Sequence, residues 1–254
     1  MRAAACAVAI ALALAFQAEL ARGATCSSKT NENIRIVLDV GHTATHAGAT
    51  SARGVGEYDF NLILARRIKE ELIRAGFPST YLIVTELDGR RGLRQRARRA
   101  NAMNADIFVS VHHDGVLDKY LVPWLYQGEE HFYFDDSKGF SLHVSPRNPR
   151  YGESLQLAQI LADKLMESGL EFTAIHAPSR PEGARVPFLD SGRGIYRREK
   201  LIVLNKTEMP AVLLEAGVIV NRDEELALAS PARQATTAKA VVEAVRKFCG
   251  DRFR

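Results

Sequence analysis

The sequence is short of cysteine, carries no block of a single charge and shows no internal repeat. Its three cysteines stand at positions 6, 26 and 249, so at most one intramolecular pair can form. Lysine and arginine number 34 against 30 acidic residues, a formal net charge of +4. Such mild basicity suits anionic polymers or lipid headgroups, and solubility explains it equally well. No like-charge run marks a nucleic-acid arm, and no nucleic-acid partner is expected. Arg90, Arg91 and the arginines between Arg94 and Arg99 read instead as the polar face of a helix. Beyond the first residues there is no low-complexity tract.

Those first residues have a pattern of their own. Met1 and Arg2 precede a short apolar run from Ala3 to Phe16, and Ala21-Arg22-Gly23 supplies small residues. The run is too short to span a bilayer comfortably, and residues 1–23 are expected to be a signal peptide; an uncleaved anchor is the other reading. Cys26 raises a lipoprotein alternative, for which Thr25 is a poor match. An exported chain is expected, in the periplasm or cell wall. Losing the leader removes Cys6, and an oxidising compartment then invites a Cys26–Cys249 disulfide tying the two ends together.

What is abundant is hydrophobic order: 46% of 254 residues are apolar and 25% charged, enough for one large α/β domain with a sizeable core. Ile34 to Val40 reads as a buried strand that breaks at Gly41 and delivers His42 just past its end. A loop without period runs from Gly41 to Gly56, and Glu57 opens an amphipathic helix from about Tyr58 to Ala75, stopped by Gly76. Thr80 to Thr85 is a second strand. Leu93 to Met103 is a helix with Leu93, Ala97 and Ala100 inward and the arginines outward. Asp106 to His112 is the third strand. Alternating strands and helices predict a twisted, mostly parallel sheet flanked by helices.

The period then fails. Between Tyr120 and Phe140 stand seven of the chain's 19 aromatic residues, a density that argues for a packed insertion near residues 116–138 rather than a linker. It is expected to serve as a lid, a substrate platform or a satellite cluster. Further on, the pattern predicts a strand at Gly139 to Val144, a helix from Tyr151 to Glu167, loop from Glu171 to Arg198, strands near Leu201 to Leu204 and at Ala211, and a helix from Pro231 to Phe248.

Three strand ends carry chemistry. A catalytic zinc takes three protein ligands, commonly histidines and a carboxylate, and keeps one position open. His42 and His112 end two apolar strands, and Glu57 starts a helix whose dipole favours a carboxylate there. The doublet His112-His113 demands a choice, because neighbours on a strand point to opposite faces. His112 is taken as the ligand, with His113 at the mouth of the site or capping the strand. Asp114 is a candidate to orient an imidazole. Glu215, inside the apolar run from Val212 to Gly217, must be paired, near a metal or shifted in pKa, and a glutamate so placed serves as general base in metal-assisted hydrolysis.

At this point five ordered blocks resemble the zinc-dependent N-acetylmuramoyl-L-alanine amidases. They are His42 with Gly48-Ala49, Glu57 before Asp59 and Asn61-Leu62, Leu93-x-x-Arg96-x-x-x-Ala100-Asn101, Ala105 to His112, and Met209 to Gly217 with Asn221. The resemblance covers about Ile34 to Phe248. It implies a catalytic domain over 34–250, zinc held by His42, Glu57 and His112, and Glu215 as catalytic acid/base. It also implies cleavage of the amide between N-acetylmuramic acid and L-alanine in peptidoglycan.

Two stretches depart from the family pattern. His46 stands where the family usually has aspartate, and the glycines after His42 are gone; Ser110-Val-His-His-Asp114 replaces a common Ser-Ile-His-Ala-Asn. No separate wall-binding domain is visible, so targeting is expected from the catalytic domain or from a regulatory partner. A zinc peptidase acting on the stem peptide would use the same metal logic, whereas a non-catalytic wall-binding module would not need Glu215.

Overall fold

The structure, a computed structural model, describes Cys26 and residues 28–250, so the expected signal peptide lies outside the described residues. Among the described residues, nine strands and six α-helices follow one another. The strands are β1 (Ile36–Val40), β2 (Thr80–Ile83), β3 (Ile107–Asp114), β4 (Val122–Tyr126), β5 (Glu129–Tyr133), β6 (Ser141–Val144), β7 (Phe188–Asp190), β8 (Ile195–Arg197) and β9 (Ala211–Val218). The helices are α1 (Glu57–Arg74), α2 (Gly89–Ala102), α3 (Tyr151–Glu167), α4 (Ile202–Asn205), α5 (Arg222–Ala229) and α6 (Pro231–Cys249).

Seven strands form one sheet in the order β2-β1-β3-β9-β6-β8-β7. The first four run parallel, β6 opposes β9, and β7 opposes β8. The central strands are buried along almost their whole length, as sheets covered on both faces require. Strand parity sorts their side chains. Ile36, Leu38, Val40, Val109, Val111, Val212 and Leu214 join the core under α1, α3 and α6. Val37, Phe108, Ala211 and Leu213 pack with Ala100 of α2 and with Val203 and Leu204 of α4 on the other face.

Helix α1 shows how local chemistry sets these elements. Phe60, Leu64, Ala65, Ile68 and Leu72 bury one stripe, and Glu57 and Asp59 lie at its positive end. At its C-terminus Gly76 adopts φ 93°, which an L side chain rarely does. The Phe77 amide then donates to the Leu72 carbonyl at 2.9 Å and the Gly76 amide to Ile73 at 3.1 Å, closing the helix while Phe77 enters the core.

Two expectations need correction, and the insertion gains a definite form. The apolar run Leu201–Leu204 contributes to a short helix, α4, not a strand; four apolar residues cannot distinguish the two. Its turn is held by the Asn148 side-chain amide, which donates to the carbonyls of Leu204, Thr207 and Met209. The stretch expected as loop holds the edge hairpin β7–β8, whose three-residue strands are too short to show alternation. The insertion is a two-stranded hairpin, β4–β5, with Gln127 and Gly128 both at positive φ (55° and 88°), as tight two-residue hairpin turns require.

Cys26 and Cys249 are bonded, with Cα atoms 5.1 Å apart across 223 residues of chain. The bond fastens the start of the domain to the end of α6, and both cysteines are buried. Reduction, or Cys249→Ser, is expected to lower unfolding free energy by roughly 2–5 kcal/mol, read as an earlier urea midpoint. An unchanged midpoint in reductant would overturn that expectation.

Candidate metal centre and its acid–base partner

Because β1, β3 and β9 are adjacent and parallel, their C-terminal ends meet at one edge of the sheet, where open α/β folds present their ligand sites. His42 follows β1, His112 lies on β3, and Glu57 reaches in from the first residue of α1. The three can each present a ligand atom within 4.8 Å of the other two. Glu57 is the hinge of the group. Its Oε2 lies 3.0 Å from His42 Nε2, and its Oε1 lies 2.9 Å from His112 Nδ1. It also accepts from the amides of Ala49 and His113 and from the Asn61 side chain, at 3.1, 3.2 and 3.0 Å. Burial alone would raise its pKa. The hydrogen bonds and charge of His112 and His42 outweigh burial and hold the carboxyl well below the usual range.

The surrounding backbone is cut to fit. A Cβ at Gly41 would lie 2.4 Å from the His112 ring, and one at Gly48 would lie 2.3 Å from Glu57 Oε2. His42 itself has φ 63°, uncommon for a non-glycine residue. Its carbonyl accepts from the Arg96 guanidinium, and Arg96 also faces Asp39, Nε to Oδ1 3.7 Å. Asp39 in turn accepts from Ser110 Oγ at 2.8 Å. Arg96 is thus buried, against the expectation that the arginines of this helix all face outward. Its spacing from Leu93 and Ala100, three and four residues along the inward stripe, was the available signal.

Residues 36–247 match the family described as N-acetylmuramoyl-L-alanine amidase. The chain belongs to this amidase family. Among relatives, the endolysin of Bacillus phage SPP1 is 28% identical over 187 residues, covering 74% of this chain and 55% of the endolysin, so the chain spans about half that protein's length. YqiI of Bacillus subtilis is 24% identical over 218 residues, 85% of each chain. The fold is shared with Ami1 of Mycobacterium smegmatis, an N-acetylmuramyl-L-alanine amidase (TM-score 0.65, 20% identity, 88% of this chain and 100% of that one). It is also shared with the CwlD amidase of Clostridioides difficile, solved in complex with the GerS lipoprotein (TM-score 0.61, 18% identity, 85% of this chain and 98% of that one).

Within this amidase fold, Glu215 pairs in register with His112 on the neighbouring strand. Parity puts it on the same sheet face as His112, Ser110 and Phe108. Its Oε2 is shielded and has no hydrogen-bond partner among the described residues. Burial, then the charges of Asp114 and Glu57, push its pKa well above the ordinary carboxylate value.

The remaining candidates are placed differently. His113 turns to the opposite face, where its Nδ1 lies 2.8 Å from Asn61 Oδ1 and its ring lies against Phe60. Burial pushes its pKa down to about 3, so it neither lines the mouth of the site nor carries charge. The imidazole that Asp114 meets is that of His176: Asp114 Oδ2 lies 2.6 Å from His176 Nε2, while His176 Nδ1 accepts from the Ala184 amide at 3.1 Å. His176 sits in an irregular loop, where no period announces it. His46 is exposed and pairs with Asp88, Nδ1 to Oδ2 2.7 Å. It borders a cavity of about 190 Å³ that His42, His112 and Arg96 also line.

A larger cavity, about 660 Å³, lies between the loop at Gly48–Ser51 and the β4–β5 hairpin. The hairpin is docked there by Trp124, whose Nε1 donates to the Ala52 carbonyl at 2.9 Å. Arg53 and Arg222 flank the Trp124 ring at 5.4 and 5.3 Å from its centroid, a cation–π arrangement.

Proposed function

We propose that this chain hydrolyses the amide between N-acetylmuramic acid and L-alanine in peptidoglycan, with zinc as cofactor. The observation that carries the proposal is the convergence of His42, Glu57 and His112 beside Glu215 in a member of this family. The donor set fits zinc: two imidazoles and a carboxylate kept ionised, in a cradle that two glycines leave open. The chemistry that zinc supplies when bound is Lewis acidity, which polarises an amide carbonyl and makes water more acidic.

The protein's own groups do the rest. Glu57 holds both imidazoles in one orientation, and Arg96 fixes the backbone that carries His42. Glu215, with its raised proton affinity and an unpaired Oε2, can take a proton from attacking water and return it to the departing amine. The β4–β5 hairpin forms the far wall of the larger cavity, which supports a part for the aromatic insertion in the substrate's approach. Export to the periplasm or cell wall is part of the proposal, supported by the leader pattern and by the buried disulfide. A regulatory partner is part of it too, since CwlD is seen with a lipoprotein bound.

Digestion of purified peptidoglycan, followed by mass analysis of the products, tests the bond assignment. Release of intact stem peptides with a free L-alanine amine is expected. Products in which part of the peptide remains on the sugar would show a peptidase instead.

A further inference from the structure

The arginine-rich face of α2 carries cations that the hydrolytic site does not use. Arg90 and Arg94 of α2, with Arg147, Lys200 and Lys206, line a single cavity of about 380 Å³ together with Asn205. Five cations thus converge on one concavity with no acidic side chain in its lining. Arg147 shares Glu199 with Arg197; Arg90, Arg94, Lys200 and Lys206 have no carboxylate partner among the described residues. The first turn of α2 adds no acid either, although that end of a helix carries partial positive charge. Asp88, immediately before the helix, is committed elsewhere, to Thr43, Thr45 and His46.

Such a gathering of like charge costs Coulomb energy that an anion would offset. Elsewhere on this surface arginines do find carboxylates: Arg193 meets Asp163 and Asp190, and Arg74 meets Glu70 and Glu71. A carboxylate would need one arginine fork, whereas this cavity offers three guanidinium groups and two ammonium groups. That donor set matches the several oxygens and multiple charge of phosphate.

We propose that the cavity between α2 and α4 binds a phosphate-bearing anion of at least two negative charges. The site is separate from the metal centre and independent of the bond the enzyme cleaves. Two sources present that chemistry, a free phosphate group and a lipid headgroup, and one experiment separates them. Calorimetric titration of the purified protein with inorganic pyrophosphate is run beside co-sedimentation with vesicles of cardiolipin, whose headgroup carries two phosphates, in phosphatidylcholine. Both use wild type, Arg90→Gln/Arg94→Gln and Lys200→Gln/Lys206→Gln.

All five cationic side chains are exposed, so both double variants are expected to fold, with wild-type melting curves. Saturable pyrophosphate binding that weakens about tenfold or more in each double variant supports the site with a free phosphate group as ligand. Vesicle binding that both variants lose, without binding of pyrophosphate, supports it with a headgroup as ligand. Binding of either probe equally by wild type and variants would reduce the cluster to a solvated charged face, and no binding of either probe would overturn the proposal outright.

Discussion

Replacing Glu215 by glutamine is expected to lower turnover on peptidoglycan by on the order of 100- to 10,000-fold, the usual cost of losing a general base or acid. The substitution keeps the side chain's size and one carbonyl oxygen but removes its capacity to carry a proton. Nothing in the fold requires that proton. Oε2 has no hydrogen-bond partner among the described residues, and Glu215 lies among Leu213, Leu214 and Ala216 on a central strand. Burial and the neighbouring charges of Asp114 and Glu57 raise its pKa, and an amide relieves that electrostatic conflict. Stability should therefore hold or rise while catalysis collapses. Initial rates on purified peptidoglycan, with metal content and a thermal melt on the same sample, check this. A folded, metal-loaded Gln variant with near-normal rates would remove Glu215 from the mechanism.

The second large effect is expected at Glu57. Alanine there removes the carboxylate that contacts both imidazoles and accepts from the Ala49 and His113 amides. Bound metal, read by elemental analysis after dialysis, should fall from about one ion per chain to near zero, and hydrolysis with it. His42→Ala and His112→Ala should behave alike. His113→Gln should keep its metal, because that ring packs on α1 and only its backbone amide touches Glu57. Gly48→Ala is a sharper form of the same test. It removes no ligand, yet its methyl would sit 2.3 Å from Glu57 Oε2 on a backbone at φ 82°, so metal should be lost here too. Metal retained in Glu57→Ala, or lost in His113→Gln but kept in His112→Ala, would reassign the centre.

Much of this site was legible before any coordinates, and the reason is periodicity. Alternation along a strand is a local property with period two, so the separation of His112 from His113 onto opposite faces followed from their adjacency alone. The run around Glu215 marked an ionisable group in an apolar setting, whatever its neighbours. The same rule applied to α2 would have turned Arg96 inward with Leu93 and Ala100. The assumption that an arginine cluster is uniformly solvated hid it, and with it the support for His42.

Other features had no local signature. Asp114 and His176 are 62 positions apart and are joined across an irregular loop. The α4 run was ambiguous because four apolar residues satisfy either period, and burial of Val203 and Leu204 under the sheet decided it. The aromatic insertion showed its density but not its hairpin. Its place came from contacts of Trp124 with Ala52 and Arg53 of the loop, and of Tyr133 with Arg222 at the start of α5.

The residue order by itself determined the α/β class, the association of His42, His112 and Glu215 with apolar strands and of Glu57 with a helix start, and the opposite facing of His112 and His113. Each follows from backbone geometry within a few residues. The tertiary structure alone decided that β1, β3 and β9 are neighbours, which brings His42, His112 and Glu215 to one edge and leaves room for Glu57. Strand order depends on how all the helices together cover the two faces of the sheet. That burial is collective, and no single segment encodes it.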